Sequence, residues 1–225
     1  MLAELFVYQA RHSQFADFLA EHASTHFKMI AEHLPLFGAF TAASGERSRL
    51  IHLAAYEDYE SRQAGLAGLE ANAALKSFSR GPGKALARLT TTLLNPTSFS
   101  PIRHVRDMHQ AVALRASERS QMLFELRTYT AIPGKTPSAL RMLAEEGNPL
   151  THQFVEWPAA YFMAETGRAN RIMMLWAYSS AAERARRKAQ MLPDPRFQEL
   201  GARFNPHFCN QQSDLWTPTQ FSPIH

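Results

Sequence analysis

Disulfide bonding plays no part within this chain, because its single cysteine, Cys209, has no second thiol to meet. A lone thiol suits a reducing compartment and argues against the small secreted scaffolds built on cystine frameworks. No run of about 18 apolar residues occurs, so no transmembrane helix and no membrane insertion are expected. The first residues, MLAELFVYQARHS, have no basic segment leading into an apolar one. A secretory signal is therefore not expected, and a cytoplasmic location is. Phosphate-binding glycine loops, dinucleotide fingerprints and serine-nucleophile elbows are also missing. Charged residues are 20% and apolar residues 45% of the 225, a balance that supports a folded core. Of the net charge of +4, a cluster at Arg184, Arg186, Arg187 and Lys188 stands out. With no aromatic residues interleaved it reads as a solvated helix face, and no nucleic-acid partner is expected.

What the chain does have is repetition. LNPTSFSPI ends at Ile102 and WTPTQFSPI at Ile224, with six of nine positions identical. Leu5 and Tyr8 match Leu126 and Tyr129, Gly45 with Arg49 matches Gly167 with Arg171, and His52 to Tyr56 matches Met174 to Tyr178. Four matches in order at nearly one offset point to a tandem duplication. Residues 1–102 are then a first module and 122–225 a second. Residues 103–121 are a polar, basic linker with a short helix around Met108 to Leu114.

Within the second module the pattern alternates from Phe124 to Thr130, as a strand does. Pro133-Gly134 marks a turn and Pro137 fits a first helical turn. Pro149 should interrupt the helix that follows. Strands are expected over 159–166 and 171–178, and Ser180 with Glu183 forms a capping box. A further helical segment reaches Phe204 and a last strand starts near Cys209, read as a core residue. The order is β-α-β-β-α-β, the ferredoxin-like arrangement. The fold class is therefore α+β: two tandem ferredoxin-like βαββαβ modules forming an intramolecular α+β barrel, each sheet covering the other. Phe124, Leu126, Met173 and Leu175 are assigned to the helix side. Glu125, Arg127, Tyr129, Met174, Trp176 and Tyr178 are assigned between the sheets, with Glu4, Tyr8 and His52 as their counterparts. Phe99 and Phe221, in the two FSPI endings, are expected to pack each on the opposite module.

These residues carry a family resemblance. Phe124-Glu125-Leu126-Arg127-Thr128-Tyr129, Pro133-Gly134-Lys135, Leu175-Trp176-Ala177-Tyr178, Glu183-Arg184 and Asp194-Pro195 resemble the NIPSNAP family over nearly all of residues 122–224. The first module retains Glu4-Leu5, Tyr8, His52-Leu53, Ala55-Tyr56 and Phe99-Ser100-Pro101. The resemblance implies the dimeric α+β barrel superfamily, which includes cofactor-independent monooxygenases, haem-binding enzymes and small-molecule binding proteins. It brings no agreed catalytic residues, and none is assigned.

Two constellations could carry chemistry. Along the first helix Phe15, Phe18, Leu19, His22, His26, Met29, Ile30 and His33 share one stripe. His22 and His26, four apart, could hold a metal or a haem iron; the reading adopted is buried histidines satisfied by hydrogen bonds, with no metal. The second set is Glu4, Tyr8, His52, Glu125, Arg127, Tyr129 and Trp176, read as a ligand pocket or a network that fixes sheet register. The expected function is binding of a small apolar or aromatic molecule or a protein partner, with no cofactor. The alternative is a cofactor-independent monooxygenase or a haem-using enzyme. The obligatory dimer contact is expected inside the chain, with further self-association through other surfaces left open.

Overall fold

The first strand, β1 (Leu2–Ala10), pairs antiparallel with both β3 (Arg49–Tyr56) and β4 (Leu86–Pro96), and β3 carries β2 (Leu36–Ala42) on its other side. In the second module β5 (Leu123–Ala131) is flanked in the same way by β7 (Arg171–Tyr178) and β8 (Phe208–Pro218), with β6 (Trp157–Ala164) beyond β7. The computed structural model describes residues 1–73, 75, 82–115 and 122–224. Linker residues 116–121 lie outside this set.

The two sheets also join edge to edge. β2 pairs with β8 at Phe40–Pro218 to Ala42–Trp216, and β4 with β6 at Leu94–Ala164 to Pro96–Phe162. The result is one closed barrel, β1-β3-β2-β8-β5-β7-β6-β4. Each seam is three residue pairs long, so β4 and β8 pair on one side only over most of their length. The junctions repeat with twofold regularity: Ala43 N–H donates to Leu215 O and Glu165 N–H to Leu93 O, while Leu215 and Leu93 donate to Ser44 Oγ and Thr166 Oγ1.

Helices cover the outside. In the first module α1 (Phe15–Glu21) runs through a π-helical turn, His22–His26, into α2 (Phe27–His33). α3 (Tyr59–Ala71) begins at a capping box formed by Asp58 and Ser61. α4 (Val105–Arg115) is the linker helix. In the second module α5 (Thr136–Met142) passes through the equivalent π-helical turn, Leu143–Gly147, into α6 (Asn148–Thr151). Pro149 sits in the first turn of α6, where its missing N–H is tolerated, so it follows the break as the sequence suggests. α7 (Ala181–Met191) starts at Ser180, whose side chain accepts from Glu183 N–H, and α8 (Pro195–Phe204) completes the layer.

The assignment of strand faces is reversed from the sequence expectation. Leu5, Leu53, Phe124, Leu126, Met173 and Leu175 point into the barrel, where they form one core with Phe40 and Trp216. Phe40 meets Phe124 at 4.8 Å and Trp216 at 5.7 Å between ring centroids. Glu4, Tyr8, His52, Glu125, Tyr129, Met174, Trp176 and Tyr178 belong to the helix side, with cores that each stay within one module's helix layer. The central strands β1, β3, β5 and β7 are buried on both faces, so alternation separates two sets without saying which lies inward.

The linker is part of the core as well. Val105 and Met108 of α4 are buried with Ile102 at the mouth of the barrel. Cys209, expected in the core, is exposed on β8. The FSPI arms cross as anticipated. Phe99 packs on Tyr161 of the second module, centroids 5.6 Å apart, and Phe221 on Phe27 of the first, at 4.7 Å. Each arm is pinned by a matching bond: Tyr161 N–H donates to Ser100 Oγ at 2.9 Å and Ala39 N–H to Ser222 Oγ at 3.1 Å.

Candidate functional site

Because the polar strand residues face the helices, they meet the histidine stripe that the sequence reading had kept on the other side of the sheet. His22 and His26 are both buried in the π-helical turn, which widens the helix locally and directs both rings at the sheet. His22 lies 5.0 Å from His52 and 5.9 Å from Tyr8, and Tyr8 lies 5.1 Å from His52, all between ring centroids. Phe221 from the C-terminal arm closes the cluster, 5.9 Å from His22. Burial, with His26 adding repulsion, pushes His22 down to about 3. Burial, reinforced by His22, holds His52 well below its usual value, so its ring is neutral near pH 7. Neither ring nitrogen of His52 has a hydrogen-bond partner among the described residues. Burial and the charge of Glu4 raise Tyr8, which keeps its proton.

Glu4 and Glu125 occupy equivalent places and are fully buried, but their surroundings differ. Glu4 is held by one arginine, Arg62 of α3, through Nε to Oε2 at 2.8 Å and Nη2 to Oε1 at 2.7 Å. Glu125 is held by the equivalent Arg184 of α7 at 2.8 Å, and also by Ser213 at 2.7 Å, Arg127 at 3.3 Å and Lys188 at 3.5 Å. Burial opposes the charge of Glu125, but Arg184, Lys188, Ser213 and Arg127 outweigh it and hold the carboxyl down at about 2. Burial beside Arg127 pushes Lys188 down to about 8, against the pull of Glu125. Arg127 lies 4.8 Å from the Trp176 ring and Lys188 4.6 Å from it, both within cation–π range. Arg127 also donates to the Tyr129 hydroxyl from Nε at 2.8 Å and from Nη2. The basic cluster on α7 is thus only partly solvated. Arg186 is exposed, while Arg184 and Lys188 turn inward.

Each module holds a cavity between helices and sheet. The first is about 230 Å³, with Phe6, Tyr8, His26, Met29, Leu66 and Leu86 in its wall. The second is about 200 Å³, with Arg127, Tyr129, Trp176, Phe197, Phe204 and Gln211 in its wall. The barrel interior, by contrast, contains only about 10 Å³ of free space, no more than one water needs. Of the residues singled out in the sequence, Tyr8 and His26 reach the first cavity and Arg127, Tyr129 and Trp176 the second. His22 and His52 sit behind the first wall, and Glu4 and Glu125 serve as anchors for arginines. Sequence reading missed Arg62 as the partner of Glu4. Arg62 and Arg184 are separated by the repeat offset, a signal that was available. It also missed the α8 face, although Phe197, Leu200, Gly201, Phe204 and Asn205 have helical spacing and all line the cavity.

No group of three His, Cys, Asp or Glu among the described residues is arranged to hold a metal ion. The space that His26 borders, about 230 Å³, falls below the ~300–1,000 Å³ of ordinary cofactor pockets. Among the described residues no helix is long and apolar enough to cross a membrane.

Comparison with known proteins places these features. A curated protein from Dictyostelium discoideum, described as "Protein NipSnap homolog", is 22% identical over 211 residues, covering 91% of this chain and 85% of that protein. The crystal structure of a NIPSNAP family protein with unknown function from Agrobacterium tumefaciens is 29% identical over 48% of this chain and 97% of its own, with a TM-score of 0.45. A putative monooxygenase from Lactobacillus acidophilus has only 8% identity but a TM-score of 0.61, covering 100% of this chain and 98% of its own. The last match shows that the whole two-module barrel is a shared fold. The NIPSNAP family model matches residues 3–101 and again 124–223, so the chain belongs to the NIPSNAP family as a tandem two-module member.

Proposed function

We propose that this protein binds small apolar or aromatic molecules, one in the helix–sheet cavity of each module. The observation that carries the reading is where free space lies. The interior of the barrel is filled, while both helix layers keep cavities of about 200 and 230 Å³ at comparable places. An apolar cavity of about 150 Å³ holds benzene, so these sizes suit one substituted ring or two fused rings. A cytoplasmic location, suggested by the lone cysteine, belongs to the same proposal.

Naphthalene is a suitable neutral probe, and calorimetry should find two molecules bound per chain. Gly201→Leu tests the second cavity alone. Gly201 lies on the cavity-lining face of α8, and a Cβ there meets only Asn205 Nδ2, at 3.8 Å. The leucine should fill the cavity and reduce the stoichiometry from two to one. It should also raise the melting temperature, because glycine inside a helix costs about 1 kcal/mol relative to alanine. A wild-type protein that takes up no naphthalene would end this reading.

A further inference from the structure

The two cavities differ in charge, and the difference follows from the tandem duplication. Phe6 stands in the first module where Arg127 stands in the second, Ala54 where Trp176 stands, and Leu66 where Lys188 stands. In the first module the buried carboxylate Glu4 faces one cation, Arg62, and the pair is balanced. In the second, Glu125 faces three, Arg127, Arg184 and Lys188. No other carboxylate pairs with any of these three among the described residues. Two positive charges are therefore in excess, and one of them, Arg127, forms part of the cavity wall.

Guanidinium geometry gives the excess a direction. Arginine has five N–H donors. At Arg127, Nε and one N–H of Nη2 go to the Tyr129 hydroxyl, and one N–H of Nη1 goes to Glu125. One N–H on each terminal nitrogen remains, enough for charge-assisted hydrogen bonds to a carboxylate. Around this polar end the wall is aromatic and aliphatic, from Trp176, Phe197, Leu200 and Phe204. A half-buried cation that lacks its counter-ion is costly, and an anionic ligand seated on it recovers that cost.

We infer that the cavity of the second module is a site for an aromatic carboxylate, its ring among Trp176, Phe197 and Phe204 and its carboxylate on Arg127, while the cavity of the first module, with the carboxylate Glu70 in its wall, does not take anions. This rests on the binding reading above and names the ligand class for one of its two sites.

The test compares 2-naphthoate with naphthalene by calorimetry on the full chain, with tryptophan fluorescence reporting contact with Trp176. 2-Naphthoate should bind once per chain and more tightly than naphthalene. Arg127→Phe, which installs the first module's residue, should weaken 2-naphthoate about 30-fold or more, the loss of a charged hydrogen-bond pair. The same variant should leave naphthalene binding within about threefold. Lys188→Met removes an excess charge without touching the cavity wall. It should weaken 2-naphthoate less than Arg127→Phe does, and still measurably. If naphthalene binds but 2-naphthoate binds no better, or if Arg127→Phe weakens both probes alike, the carboxylate assignment is overturned while the binding reading stands. If neither probe binds, both fall.

Discussion

Lowering the pH from 7 to 5 is expected to destabilise the folded chain by about 2 kcal/mol through His22, with His52 adding to the loss in the same direction. Both rings are buried and neutral in the fold, His22 with its pKa pushed down to about 3 and His52 well below its usual value. In the unfolded chain each takes up a proton near pH 6.5. Between that value and the folded pKa the unfolded state binds more protons, so stability rises with pH and is lost as pH falls. The slope is about 1.4 kcal/mol per unit per histidine once the pH is below 6.5. His152, also lowered by partial burial, adds a smaller effect of the same sign. Glu125 titrates lower, near 2 in the fold, so its contribution is retained until the pH falls below the ordinary carboxylate range. Tyr8 stays protonated throughout, and the Glu4–Arg62 pair anchors the neighbouring strand. Denaturant unfolding at pH 7 and pH 5 measures the effect. The double variant His22→Leu with His52→Met, which installs the residues of the second module, should remove most of the slope. An equal slope in the variant would mean that the histidine cluster is not what titrates.

Removing residues 217–225 is expected to cost more than 5 kcal/mol, comparable with the whole stability of many domains. Three losses combine. Ile224 is 0% exposed in the barrel core, and removing a buried side chain of that size costs about 2–5 kcal/mol. Thr217 and Pro218 pair with Thr41 and Phe40, so their loss shortens a seam that closes the barrel. Ser222 and Thr219 bond to the backbone of Ala39, and Phe221 covers Phe27 and His22. At about 2–4 °C per kcal/mol for a chain of this size, the melting temperature should drop by at least 10 °C. Ile224→Ala alone should produce a substantial part of that drop, and Ile102→Ala a similar part from the first arm. Calorimetric scans of the truncated and full-length chains would decide it. Coincident transitions would show the arm to be a loose tail.

How far the sequence carries can be seen at individual residues. The matching LNPTSFSPI and WTPTQFSPI endings, the shared Glu4 and Glu125, and the Ser180 cap each have a local physical cause, so the duplication and the βαββαβ order were legible without coordinates. So was the crossing of the arms, because apolar Phe99 and Phe221 after a proline-bounded strand need a surface to cover them. The charge surplus at Glu125 was not legible. Arg184 and Lys188 look like part of a solvated face until the helix is docked, and only docking turns them inward.

The local pattern thus determined which residues share a face, which segments are strands and helices, and that the chain contains one module twice. Only the tertiary structure decided which face is the inside. Leu126 and Glu125 alternate along a strand buried on both sides, and alternation has the same period whichever side the helices take. Closing β2 onto β8 and β4 onto β6 made the apolar set the barrel core. That same closure brought His22, His52 and Tyr8 together under one helix layer and placed Arg127 against Trp176 under the other. These juxtapositions join residues far apart in the chain, and no local signal encodes them.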